Sequence, residues 1–101
     1  MIKIKNIAIG DNYRTFIIAE VGLSHEGSLG VAISMIDAAA ESGADAVKFQ
    51  MHLAEEESSN FEKFRTQNFL QDKNRYNYWK RTSFTFQEWK LLKNYTQKKK
   101  N

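Results

Sequence analysis

Residues 16–50, FIIAEVGLSHEGSLGVAISMIDAAAESGADAVKFQ, limit most strongly what this chain can become. A short apolar run rich in Ile ends at Gly22, and a loop with two glycines follows. Leu29, Ala32, Ile33, Ile36, Ala39 and Ala40 then recur at helical spacing, and a second apolar run closes the segment. That order predicts a strand, a loop, a helix and a second strand, which is one βαβ unit of roughly 30 residues. A right-handed crossover between parallel strands brings the C-terminal ends of both strands to the same side of the sheet.

Each strand carries one residue out of place at that end. The run 16–21 reads as a strand buried on both faces, as parallel strands usually are, yet Glu20 interrupts it. A carboxylate is expensive to bury unless paired or hydrogen-bonded, so Glu20 either turns toward solvent or a Lys, or handles chemistry. The second strand, 45–50, reads DAVKFQ and holds Lys48 inside an apolar run, with Gln50 two residues on. Ligands in open α/β sheets and in (β/α)₈ barrels bind at the carboxyl ends of the strands, where an anion-binding lysine beside a proton-handling carboxylate makes chemical sense.

Local signals fix the helix between the strands. Ser28 is placed to cap its N-terminus and Gly43 to end it. The alanines at 38–40 are small enough for close packing on a sheet. Upstream, residues 2–9 read IKIKNIAI and predict a short hairpin, with turn residues Gly10, Asp11 and Asn12 before the next apolar run. Ile2, Ile4, Ile7 and Ile9 are expected to cover one end of a larger core, with Lys3 and Lys5 facing water.

Downstream, 51–77 loses regular patterning and contains the acidic run 55–57. An excursion of that length after a strand is more often functional than idle, and Phe61, Phe64, Phe69 and Leu70 are expected to pin it to the body. Thr85 followed by Glu88 forms a capping box that opens an amphipathic helix bearing Phe86, Trp89, Leu91, Leu92 and Tyr95.

With 101 residues and no cysteine, the chain is at most one small domain without a disulfide or thiolate-metal framework. No apolar stretch approaches the ~20 residues needed to cross a bilayer, and the start has no apolar signal-peptide core, so the expected compartment is the cytoplasm. The net charge of +3 hides an asymmetry: residues 1–72 carry six basic against eleven acidic side chains, and residues 73–101 carry nine against one. A basic tail of that kind suits either a nucleic-acid contact or a solvated helix end. Arg75, Tyr76, Tyr78, Trp79, Lys80 and Arg81 have the makings of a base-stacking surface, but the same mixture describes an amphipathic packing segment, which is the favoured reading.

Three motif readings fail. His25-Glu26 would need a second histidine at position 29 to bind zinc as a protease does, and that residue is Leu29. Gly22 and Gly27 lack the Lys and Ser or Thr of a phosphate loop, and no G-x-G-x-x-G occurs. With His25 and His52 as its only histidines, the chain is not expected to hold a metal by itself.

FIIAEVGLSHEGSL, IDAAAESGADAVKFQ and, more loosely, RYNYWKRTSFTFQEWKLLK together resemble the N-terminal part of the N-acetylneuraminate (sialic acid) synthase family. The resemblance implies an α/β chain that is the N-terminal part of a (β/α)₈ TIM barrel: a short hairpin plus the first two βα units, with residues 1–101 one partial domain. It implies a cytoplasmic, homodimeric enzyme that condenses phosphoenolpyruvate with N-acetylmannosamine or a related amino sugar, aided by Mn²⁺ or Mg²⁺. It also implies roles: Glu20 as the first-strand acid, base or sugar partner, Lys48 as the ligand of the phosphoenolpyruvate anion, and Gln50 facing the sugar. Ser24 departs from the Asn common in the family's G-x-N-H-x-G loop, while His25 and Gly27 are kept.

A (β/α)₈ barrel takes about 250 residues, so this chain supplies only part of one. The family's metal-binding histidines and most phosphate ligands belong to later strands. The chain is therefore expected to carry part of a substrate site without being competent alone. A complementing chain that completes the barrel is one alternative, and a small binding module whose basic tail contacts nucleic acid or an acidic partner is another.

Overall fold

The structure, a computed structural model, describes residues 1–59, 61 and 72–99. Strands β1 (Ile2–Ile4) and β2 (Ile7–Ile9) form an antiparallel hairpin in which Ile2 faces Ile9 and Ile4 faces Ile7. Lys5 takes a left-handed φ of 52° to make the tight turn, as two-residue hairpin loops require. The expectation that all four isoleucines cover a core needs correction. Ile7 and Ile9 are half-buried, but Ile2 and Ile4 on the outer strand are exposed.

Strands β3 (Ile18–Gly22) and β4 (Ala46–Phe49) pair in parallel, joined across helix α1 (Leu29–Glu41). The register sets Ile18 beside Ala46, Ala19 beside Val47 and Glu20 beside Lys48. An irregularity then brings Gly22, rather than Val21, opposite Phe49. Ser28 caps α1 as its sequence position predicts, its Oγ accepting from Val31 N at 3.2 Å, and Gly43 takes φ 85° just past the helix.

The two faces of this sheet differ. Val47 and Phe49 point toward the helices, whereas Ile18, Glu20 and Lys48 lie on a face that remains exposed. The expectation of a first strand buried on both faces is thus corrected: Ile18 is 55% exposed, because helices cover only one side of the β3–β4 pair among the described residues.

Beyond β4, a four-residue turn of helix α2 (Ala54–Glu57) and helix α3 (Arg75–Thr82) occupy part of the stretch that lacked regular patterning. Asn74 caps α3, accepting from Asn77 N at 2.9 Å. Arg81 grips the buried Asp72 carboxylate through Nε at 3.0 Å and Nη2 at 2.7 Å. Phe61 does not pin the excursion to the body, being almost fully exposed, and Phe64, Phe69 and Leu70 lie outside the described residues.

Helix α4 (Phe86–Lys99) opens on the predicted capping box. Thr85 N donates to Glu88 Oε1 at 2.9 Å, and Glu88 N donates back to Thr85 Oγ1 at 3.1 Å. Its inward stripe is Trp89, Leu92 and Tyr95, while Phe86 and Leu91 face outward, against expectation. The core lies where α4 packs on α1 and the covered face of β4: Ala32, Ile36, Phe84 and Leu92 are buried, with Leu29, Ile33, Val47, Phe49, Trp89 and Tyr95 around them. Ala38 and Ala40 are exposed, so of the three alanines only Ala39 serves packing. The Tyr95 hydroxyl donates to Asp37 Oδ1 at 2.6 Å and joins α4 to α1, a bond that holds the Asp37 carboxyl below its ordinary pKa. The architecture is mixed α/β, and no helix among the described residues is long and apolar enough to cross a membrane.

Candidate active site

The two side chains singled out as anomalies are direct neighbours. Glu20 and Lys48 are register partners across the parallel pair, and Lys48 Nζ lies 3.4 Å from Glu20 Oε2. Both side chains are more than half exposed, so water screens the pair and it contributes little to stability. The solvent-facing reading of Glu20 and the chemical one are therefore compatible: the carboxylate meets its lysine on an open face.

Gln50 joins them through Gly22. A Cβ at Gly22 would stand 2.9 Å from Gln50 Oε1 and 3.2 Å from Glu20 Oε1, so the amide and the carboxylate converge over this glycine. Gly22 also holds φ 58°, a conformation that side-chain-bearing residues adopt reluctantly, and its carbonyl accepts from Gln50 N at 3.2 Å. The result is one cation, one anion and one amide, set by rigid strands at the C-terminal end of the sheet and open to solvent. Such a trio can bind an anionic group at Lys48, orient a polyhydroxylated molecule at Gln50 and move a proton at Glu20.

Two loops frame the trio. Residues 22–28 fold as overlapping turns, with Ser24 N donating to Val21 O, Glu26 N to Leu23 O and Ser28 N to His25 O, each at 3.0 Å. His25 is buried at 1% exposure against Phe84, and its Nδ1 accepts from Gly27 N at 2.9 Å. From the sequence alone His25 is only a loop residue. Its aromatic setting is assembled by β4 and α4, and the local pattern gave no sign of it.

On the other side, His52 stacks on Trp79 with ring centroids 4.0 Å apart and planes 7° from parallel, and its carbonyl accepts from Ser83 Oγ at 3.3 Å. Arg75 lies 4.7 Å from the same Trp79 ring, and Arg81 and Lys80 approach the rings of Tyr78 and Tyr76. The basic and aromatic segment is thus engaged with its own chain, the packing role favoured for it.

Among the described residues no three of His, Cys, Asp or Glu are grouped to hold a metal ion. His52 is committed to Trp79 and Glu57, and His25 Nδ1 to Gly27.

Comparison with known proteins shows the family of this chain. Residues 35–100, about two thirds of the chain, match the NeuB family. The Bacillus subtilis spore coat polysaccharide biosynthesis protein SpsE is 55% identical over 53 residues, covering 52% of this chain and 14% of SpsE. An N,N'-diacetyllegionaminic acid synthase from Legionella pneumophila is 52% identical over 46 residues, covering 46% of this chain and 13% of the synthase. The crystal structure of an N-acetylneuraminic acid synthetase from Leptospira borgpetersenii, in complex with citrate, superposes with a TM-score of 0.76 at 42% identity, covering 97% of this chain and 30% of that one. The chain thus spans less than a third of each of these relatives. The matched family region includes Lys48 and Gln50, and the structural match extends across nearly the whole fold that brings Glu20 to them. By this evidence the chain belongs to the NeuB family.

Proposed function

We propose that this chain supplies one wall of the active site of a NeuB-type synthase that joins phosphoenolpyruvate to N-acetylmannosamine or a related amino sugar. In this reading the hairpin and the β3–α1 and β4–α4 units are the N-terminal part of a (β/α)₈ barrel, and the open face bearing Ile18, Glu20 and Lys48 looks into its interior. The single observation that carries the proposal is the convergence of Glu20, Lys48 and Gln50 at the C-terminal ends of paired parallel strands, the position where barrels bind substrates.

In the reaction proposed, C3 of phosphoenolpyruvate forms a bond to the open-chain aldehyde carbon of the sugar, whose oxygen takes a proton. Water adds at C2 and inorganic phosphate leaves with the C2–O bond electrons, giving a 2-keto acid. Lys48 offsets the negative charge of phosphoenolpyruvate, and Gln50 hydrogen-bonds the sugar. Glu20, held 3.4 Å from Lys48, is positioned to exchange a proton with a sugar oxygen. Its charge opposes an incoming anion, so Lys48 serves both to bind phosphoenolpyruvate and to make the neighbouring carboxylate tolerable. Any divalent metal, the remaining phosphate ligands and the rest of the barrel belong, in this proposal, to later strands of the barrel or to a complementing chain.

The test is a chimera in which residues 1–101 replace the matching segment of the Leptospira synthetase. The chimera is expected to release phosphate in the presence of phosphoenolpyruvate and amino sugar, and the 101-residue chain alone is not. Product made by the isolated chain overturns its dependence on further strands. An active chimera unaffected by Lys48→Ala overturns the assignment of the site.

A further inference from the structure

His25 lies at the centre of the loop that joins β3 to α1, and the geometry around it is one-sided. A backbone N–H can only donate, so the 2.9 Å contact from Gly27 N requires a lone pair on His25 Nδ1 and puts the ring proton on Nε2. The ring centroid is 4.4 Å from Phe84, 6.1 Å from Phe49 and 6.3 Å from Trp89, which meets it edge-on. Gly27 holds φ 80°, and a Cβ there would stand 2.9 Å from Thr82 Cα, so the loop seats directly on the end of α3. At its other end the same loop begins with Gly22, beneath Glu20 and Gln50.

We infer that His25 is a positioning residue for the Glu20–Lys48–Gln50 site: its uncharged ring latches the 22–28 loop against Phe84 and Gly27, and protonation of Nδ1 releases that loop. The inference rests on reading those three residues as the substrate-facing site. It follows from bond direction and burial together. A proton on Nδ1 faces the Gly27 N–H donor to donor, and the new charge sits among three aromatic rings with Nε2 buried and unpartnered.

The charged and titratable groups nearby do not relieve that charge. On the loop, Glu26 is exposed and acts at a distance. On α3, Arg81 is engaged by Asp72, and the Tyr78 hydroxyl is pushed up by burial. On β4, Lys48 lies on the opposite face of the sheet, and beyond it His52 stacks on Trp79. On α4, Glu88 is committed to Thr85. Desolvation accordingly lowers the His25 pKa below 6.5, with Glu26 opposing only in part. The unfolded chain binds the proton more readily than the folded one. The latch's contribution is therefore complete above pH ~6.5 and is lost as pH falls through the lowered folded value.

Nuclear magnetic resonance of the full chain tests this. The ring nitrogens of His25 are expected to report the Nε2–H form at pH 8 and a titration midpoint below that of free imidazole. Gly27 amide exchange, corrected for its intrinsic pH dependence, should accelerate at least tenfold as the ring titrates, and the Gln50 side-chain amide should shift in step. His25→Asn keeps an acceptor within reach of the amide two residues on, and should retain both signals at every pH without the titration. His25→Phe fills the space without an acceptor and should exchange rapidly throughout. An Nδ1–H ring, a Gly27 amide indifferent to pH, or an Asn variant that behaves like Phe overturns the latch. Separately, phosphoenolpyruvate that leaves Lys48 and Gln50 unperturbed at pH 8 in the chimera with the Leptospira synthetase, with the latch behaving as expected there, overturns the substrate reading and the positioning role with it.

Discussion

The β3–β4 pair carries a carboxylate and a cation at each of its two ends, and the chain treats them in opposite ways. At the N-terminal end, Asp45 is 7% exposed, accepts from both terminal guanidinium nitrogens of Arg14, Nη1 and Nη2, and accepts from Ile17 N at 2.9 Å. At the C-terminal end, Glu20 and Lys48 meet at 3.4 Å with both side chains more than half in water. The first carboxylate is saturated with donors and ties the chain entering β3 to the start of β4. The second keeps free acceptor and donor capacity on a rigid base. Under the function proposed above, the first end serves structure and the second chemistry, the division that α/β barrels use.

Exchanging the expected consequences of the two pairs breaks the comparison. The largest effect is expected from Lys48→Ala in the chimera, with kcat/KM reduced about 100-fold or more, as for loss of a charged group acting on an anion in a site. Steady-state phosphate release measures it, while the thermal midpoint should hardly move. Next, Asp45→Ala leaves the Ile17 N–H without its carboxylate acceptor and should destabilise by about 1–3 kcal/mol in denaturant titration. Activity per folded molecule should change little. A stability loss from the lysine, or an activity loss from the aspartate, would reverse the assignment of the two ends.

The helix termini and the strands were readable from sequence because their determinants are short-range. Ser28 and Thr85 act on amides three residues away, and strand alternation puts Lys48 and Gln50 on one face whatever the rest of the chain does. Partners far apart in sequence were not readable. Arg14 meets Asp45 across 31 residues and Tyr95 meets Asp37 across 58. Ile2, Ile4, Phe61, Phe86 and Leu91 are apolar yet exposed for a related reason. Alternation and helical period say which residues share a face, not whether another element covers it.

Two smaller effects sharpen the contrast between the ends. Gly22→Ala places a Cβ against Gln50 and Glu20 in a left-handed conformation, and should destabilise by about 1 kcal/mol. It should raise KM for the amino sugar more than it lowers kcat, which substrate titrations of the chimera separate. Smallest of all, removing the Glu20 carboxylate charge by Glu20→Gln should change stability by no more than about 0.5 kcal/mol, since an exposed ion pair contributes little.

Periodicity and capping act within a few residues, so a βαβ unit, its helix caps and the three polar residues at the strand ends are legible in the amino-acid order alone. The tertiary structure decided how those residues are used. Register set Glu20 against Lys48, a left-handed glycine let Gln50 approach, and aromatic side chains from β4 and α4 closed around His25. Burial and the direction of a hydrogen bond are properties of assembled surfaces. Only once β4, α3 and α4 are in place does a loop histidine become a neutral ring with one permitted tautomer.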